Sequence, residues 1–419
     1  MEIPVVASHA ENLNLRDFLP TSDKAALEER VLVFQEFLNE LDQKGHLLYR
    51  RQVGSAAERE VIVSDPLTGV DRPMLMFGSN NYLGLATHPH VRARVLAAID
   101  RFGTGLGGPP LLNGYTNLHA ELETALSILK KTEDTLIFPC GFNATMGWLT
   151  ALVQPGDVFF YDEFNHASLH QGLKQVKCRK IPFRHNDLDD LRRKMAQYGG
   201  QNVPSWLVVE GVYSMDGDLA PLPELAELAR MYNSRLVVDD AHGTGMLGSD
   251  GSGTAAHFGV EEVFLHLGTF SKSLAATGGF ISGPAAVISY LRFMSPQYMF
   301  SASLPPMLIA TVLGGLEVIR DEPQLRLRLH ANVAYLVSQL RKVGIDVTSQ
   351  TGIIPVRLSG HKQARELTLA IHQRGIFLNA IEYPAVPSDQ ERLRISVMAT
   401  HTTADLDQLV NVLAEVLKP

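Results

Sequence analysis

Gly268-Thr-Phe-Ser-Lys272-Ser-Leu-Ala-Ala-Thr-Gly-Gly279 follows directly on the apolar run Val263-Phe-Leu-His-Leu267 and sets one lysine among small, polar and turn-forming residues. An ε-ammonium at the end of a buried strand is costly to desolvate. Such a lysine is therefore either neutral or chemically engaged, which is the state needed of an amine that attacks a carbonyl carbon. A phosphate loop of the form G-x-x-x-x-G-K-[ST] is excluded, because Ser271 stands where glycine belongs before the lysine. An ordinary polar loop stays open on these residues alone.

The upstream segment Arg235-Leu-Val-Val-Asp239-Asp240-Ala-His242-Gly243 decides between the two. It reads as a buried β-branched strand that ends in a carboxylate, an imidazole and a glycine turn. A lysine that forms a Schiff base and an aspartate that keeps a pyridinium nitrogen protonated are the two groups a pyridoxal phosphate (PLP) site requires. Lys272 is the candidate anchor, Asp239 the candidate partner of the ring nitrogen, and His242 can reach the ring's phenolic oxygen.

Around these segments, short apolar strands alternate with helical patterns. Strands are expected at residues 135–138, 157–161, 178–183, 206–210 and 278–282, with helices between them, as in right-handed βαβ units of a mostly parallel sheet covered on both faces. Ligands of such sheets lie beyond the carboxyl ends of the strands, where Ser214, Asp239, His242 and Lys272 all fall. Gly141-Phe142-Asn143-Ala144 opens a helix whose unpaired N–H groups suit an anion. An ordinary strand-to-helix turn is the plain alternative there. His166, before Ala167-Ser168, reads on its own as a helix cap or surface residue.

The reading gives an N-terminal helical segment (1–60, with a helix over 21–45), a large domain (61–310) and a smaller α+β domain (311–419). In the last, strands are expected at 345–347, 354–358 and 393–397 and helices at 362–374 and 403–417. Arg50-Arg51 reads as a pair of solvated charges. Arg394 reads as an edge-strand arginine, ordinarily solvated, whose fork also suits a carboxylate.

The motifs Asn80-Asn81-Tyr82-Leu83-Gly84, Gly141-Phe142-Asn143-Ala144, His166-Ala167-Ser168, Glu210-Gly211-Val212-Tyr213-Ser214-Met215-Asp216-Gly217, Asp239-Asp240-Ala241-His242, Gly268 to Lys272 and Leu393-Arg394-Ile395-Ser396 occur in the order found in one family. The chain resembles the α-oxoamine synthases among the fold-type I PLP-dependent transferases, whose architecture is that of aspartate aminotransferase. Gly268-Thr-Phe-Ser-Lys-Ser273 and Phe300-Ser-Ala-Ser-Leu-Pro-Pro306 look most like the serine palmitoyltransferase branch.

The resemblance implies decarboxylative condensation of a small amino acid, L-serine first, with an acyl thioester carried on CoA or an acyl carrier protein. Glycine or alanine in a secondary-metabolite pathway, and transamination, are its alternatives. By resemblance, His166 stacks on the PLP ring; Gly141, Phe142, Ser214, Thr269, Ser271 and Ser301 hold the cofactor; and Asn80, Asn81 and Arg394 meet substrate. Ser301 and Asn81 would act across a homodimer with shared active sites. Two departures stand out. Pro109-Pro110 replaces a Ser-Arg pair of the relatives, and Glu382 stands where bacterial serine palmitoyltransferases have an arginine.

The 419 residues, 45% hydrophobic, allow a large core, and a formal charge of −8 with no long basic run excludes nucleic acid as a main partner. Two cysteines, Cys140 and Cys178, without ligand spacing predict no disulfide framework, no metal and a cytoplasmic location, with Cys140 simply packing. The N-terminus lacks the basic and apolar regions of a signal peptide. The charge-free stretch 295–315 is interrupted by Ser301, Ser303 and Pro305-Pro306, so no transmembrane helix is expected.

Overall fold

The computed structural model describes residues 10–19, 26–65, 68–200, 204–358 and 360–417. Residues 1–9, read above for a leader, and residues 21–25 of the expected first helix lie outside the described residues. The chain divides into two compact units, one of Asn80–His330 and the other of Met1–Ser79 with Ala331–Pro419.

In the composite unit, β1 (Glu60–Ser64) and β2 (Asp71–Met76) pair antiparallel. The unit Asn80–His330 holds β3 (Asp134–Phe138), β4 (Val158–Asp162), β5 (Arg179–Phe183), β6 (Ser205–Glu210), β7 (Ser234–Asp239), β8 (Leu265–Thr269) and β9 (Gly279–Gly283). These form one seven-stranded sheet in the order β3-β9-β8-β7-β6-β4-β5. β5, β4, β6, β7 and β8 run parallel, and β9 is antiparallel to both of its neighbours. This is the mostly parallel sheet that the alternation of strands and helices predicts.

Both faces of the central strands are buried, so β4, β6 and β8 are mostly apolar and the period of two separates two cores. Trp206 and Val208 of β6 pack with Val237, Leu265 and Trp148 of the helix Gly141–Leu152. Leu207 and Val209 face the other way, with Leu236, Val238, Leu191 and Leu225. Strand β5 is an edge, and its exposed Arg179 and Lys180 discourage pairing with another chain.

The alternation sends Asp239 and Asp240 to opposite faces. Asp240 meets Lys130, the last residue of the helix Asn117–Lys130, in an ion pair of 2.7 Å with both side chains 1% exposed. Lys130 Nζ also donates to Thr244 Oγ1 and the Ser252 carbonyl, and Asp240 Oδ1 accepts from the Thr254 amide and hydroxyl. A Cβ on Gly253 would lie 1.6 Å from Asp240 Oδ2 and one on Gly243 2.0 Å from Oδ1, so both positions must lack side chains.

The composite unit completes its sheets with β10 (Ile353–Arg357), β11 (Ile376–Phe377), β12 (Asn379–Ile381) and β13 (Arg392–Ser396), in the orders β1-β2-β11 and β10-β13-β12. The helices Leu27–Gln43, His361–Gln373 and Thr403–Val416 fall where helical spacing placed them. Residues 345–347 are not a strand. The Ile345 amide instead closes on the Leu340 carbonyl at the end of the helix Gln324–Lys342. Arg394 is on no edge either, since β13 pairs on both sides and leaves it 4% exposed. Arg50 is exposed, but Arg51 is not a solvated charge: it donates to the Ser64 carbonyl, meets His372 Nδ1 and lies over the Phe377 ring.

Replacing Asp240 by Asn would leave the Lys130 ammonium buried without its counter-charge, at a cost of about 3–5 kcal/mol of stability. Denaturant unfolding of purified Asp240→Asn protein at pH 7 checks this; a loss under about 1 kcal/mol would mean that the pair is not what secures this strand end.

Candidate active site

The carboxyl ends of β6, β7 and β8 open into a cavity of about 240 Å³. Glu210 ends β6, Asp239 ends β7 and Thr269 ends β8, and each lines it. These three follow the alternation of the Trp148 core face, which is why they emerge on one side. Gly141 and Phe142, the first residues of the helix Gly141–Leu152, supply another wall, with His166, Ser214, His242, Ser271 and Lys272 around the rest.

Lys272 is half-buried on a tight turn in which the Ala275 amide donates to its carbonyl at 3.0 Å. Ala275 has φ +52°, a left-handed conformation that costs a residue with a Cβ, and the Ala276 amide holds it by donating to the Phe270 carbonyl. Thr269 Oγ1 donates to the Gly278 carbonyl and lies 2.9 Å from Ser271 Oγ. Two hydroxyls thus sit beside the turn that carries the amine.

At the helix start Cys140 Sγ accepts from the Asn143 amide, and it lines the cavity in addition to packing. The amides at the beginning of this helix, with its dipole, make a site for a dianion. Gly141 lets Thr269 approach, since a Cβ on it would lie 3.1 Å from Thr269 Cβ. Helix amides, two hydroxyls, an amine and a carboxylate are the donor set that a phosphorylated pyridine aldehyde needs, so the residues present fit PLP.

His166 is both a cap and a cavity residue. Its Nδ1 accepts from the Ser168 amide and lies 2.8 Å from Ser168 Oγ, which fixes the ring at the start of the helix Ala167–Gln175. Although the residue is exposed, the protein around the ring lowers its pKa, with the Asp239 charge opposing that shift and Lys272 adding to it. His242 is buried, and its Nδ1 lies 2.8 Å from the Tyr82 hydroxyl, whose oxygen is also 3.2 Å from Asn80 Oδ1. Asp239 is half-buried and accepts from the Ala241 amide.

Gly141, Phe142, His166, Ser214, Asp239, His242, Thr269, Ser271 and Lys272 therefore meet in one cavity. Asn80, Asn81 and Ser301 are not among its lining residues. Asn81 is buried with Oδ1 accepting from the Ala86 amide, and Ser301 Oγ is 3.5 Å from Asn143 Nδ2. Arg394 belongs to the composite unit, where it donates to Ser396 Oγ at 2.9 Å. In the same unit Glu382 is gripped by Arg365, with Nε 3.0 Å from Oε1 and Nη2 2.6 Å from Oε2. Sequence reasoning passed over Tyr82 and Glu210, although both lie inside the quoted motifs. Among the described residues no cluster could hold a metal ion, and no helix is long and apolar enough to cross a membrane.

Residues 72–413 match the family described as aminotransferase class I and II. The chain is 37% identical over 397 residues to a serine palmitoyltransferase of Sphingobacterium spiritivorum, covering 94% of this chain and 98% of that one. It is 36% identical to an 8-amino-7-oxononanoate synthase of Lysinibacillus sphaericus, over 92% and 98% of the two chains. Among solved structures, the serine palmitoyltransferase of Sphingomonas wittichii superposes with a TM-score of 0.88 at 30% identity, over 94% and 98%. That of S. paucimobilis, solved with bound PLP, gives a TM-score of 0.88 at 28% identity over 94% and 98%.

The phenol has one proton, and if it goes to the nearer of Asn80 Oδ1 and His242 Nδ1 it goes to His242, so that Nε2 carries hydrogen. Nitrogen-15 spectra of histidine-labelled protein should show this tautomer in the wild type and lose the preference in Tyr82→Phe. An unchanged His242 signal in the variant would remove Tyr82 from the arrangement.

Proposed function

As the chain belongs to the aminotransferase class I and II family and, within it, to the α-oxoamine synthases, we propose that its cavity holds PLP on Lys272 and that it condenses a small amino acid, L-serine first, with a long-chain acyl thioester. Carbon dioxide and free thiol would be the by-products and an α-aminoketone the product. The observation that carries this reading is the meeting of Lys272 and Asp239 in one cavity with the amide-rich start of the helix Gly141–Leu152.

PLP, when bound, supplies an aldehyde that takes up amines and a conjugated ring that accepts electron density from the substrate's α-carbon. The chain's own residues do the rest. The helix amides at Gly141 and Phe142, with the Thr269 and Ser271 hydroxyls, bind the phosphate, and Ser214 borders the same space. The Asp239 carboxylate would keep the proton on the ring nitrogen, and His242 would donate from Nε2 to the phenolic oxygen. His166 would cover one ring face and keep water from it.

The Lys272 amine would hold the aldehyde and, when free, would serve as general base toward the substrate's α-hydrogen. Arg394 takes the substrate carboxylate through its two-pronged guanidinium. A homodimer with shared sites, in which Asn80, Asn81 and Ser301 reach substrate or the neighbouring phosphate, belongs to the same proposal.

The likeness to serine palmitoyltransferases runs through the two motifs Gly268 to Ser273 and Phe300 to Pro306. The 36% identity to an 8-amino-7-oxononanoate synthase supports glycine or alanine as the substrates to test beside serine. The acyl donor, on CoA or a carrier protein, is tested with them.

Purified protein given PLP, an acyl thioester and each amino acid in turn should release thiol and carbon dioxide with one of them. Lys272→Ala protein should keep its fold and lose at least about 10²-fold in turnover. Turnover only on addition of a keto acid, with neither thiol nor carbon dioxide released, would make the protein an aminotransferase.

A further inference from the structure

Glu210 has no assigned part in the reading above, yet it lies within the site. It ends β6, is 4% exposed and lines the cavity, and its Oε1 has no hydrogen-bond partner among the described residues. In the sheet register it stands beside Asp239, and both side chains leave on the face of the Trp148 core. A neighbouring carboxylate disfavours ionisation of a carboxyl that is itself buried.

The groups facing Glu210 come from each neighbouring element. Asp239 lies on β7, Lys272 on the turn after β8, and the backbone amides of His166 and Ser214 turn toward the carboxyl. We propose that Glu210 is held as a neutral carboxylic acid and acts as a positioning residue, fixing the His166 and Ser214 backbones and leaving the charge of this strand-end pair to Asp239. This deepens the PLP reading, since an ionised Glu210 would add a second negative charge beside the ring.

The pull on the proton agrees in direction. Burial, then the Asp239 charge, raises the Glu210 pKa well above the ordinary carboxyl value, while Lys272 and the two amides oppose them. A group raised in this way favours the folded state below its unfolded value, and that contribution is lost as pH rises through the folded value. Replacing it by an uncharged amide removes this pH dependence and keeps the shape.

The test uses purified protein without added cofactor. An infrared difference spectrum between wild type and Glu210→Gln at pH 7 should contain the carbonyl stretch of one protonated carboxyl, and in Asp239→Asn that band should titrate at lower pH than in wild type. A carboxylate band in its place at pH 7 would overturn the proposal. In absorbance titrations with PLP, Glu210→Gln should bind within about threefold of wild type and Glu210→Ala at least about tenfold more weakly, a difference of ~1.4 kcal/mol. Equal weakening in both variants would also overturn it. If even wild type failed to take up PLP, the cofactor reading would fall, and the infrared result would still decide the state of Glu210.

Discussion

The ion pair between Lys130 and Asp240 is the contact on which the large unit's site depends. It joins the end of the helix Asn117–Lys130, the residue after β7 and the turns through Ser252 and Thr254. Two buried charges recover their desolvation cost only with good geometry and further hydrogen bonds, and here each partner has them. The cage is closed by glycines at 243 and 253, where no side chain fits beside the carboxylate. Asp239, one residue earlier on the same strand, is aimed by what this pair fixes.

From there the site follows from the pleat. Glu210, Asp239 and Thr269 end three neighbouring strands on one face, so a single cavity receives all three. Their chemistry then diverges by environment. Asp239 is half open, while Glu210 is buried, and that burial, with the Asp239 charge beside it, raises the Glu210 pKa. His166 shows how one side chain meets two demands, since the nitrogen that caps its helix also fixes its ring at the cavity.

The strands of the large sheet and most of the cavity were legible because both leave local marks. A β-branched run followed by a carboxylate and a glycine announces a strand end, and the histidine, lysine and glycine motifs sit at such ends. What was not legible depends on partners far away in the chain. Nothing near Lys130 announces Asp240, 110 positions on. Tyr82 needs His242 to acquire a role, and Arg51 needs His372 and Phe377 before it stops being an ordinary surface charge. Residues 345–347 mislead for the opposite reason: two apolar residues around a polar one fit a strand pattern, and a helix end claimed the Ile345 amide first.

The grip of Arg365 on Glu382 bears on how this protein could be redesigned. Both side chains are 4% exposed, and Arg365 also donates to the Ala10 carbonyl and lies over the Phe37 ring, so the acid is tied into the packing of the N-terminal segment. Installing an arginine at position 382 would set two guanidinium groups against each other in a dry pocket. A graft of that feature has to exchange residues 365 and 382 together and then find the first helix a new anchor. A single substitution at position 382 therefore disturbs the N-terminal segment as well as the acid's own surroundings.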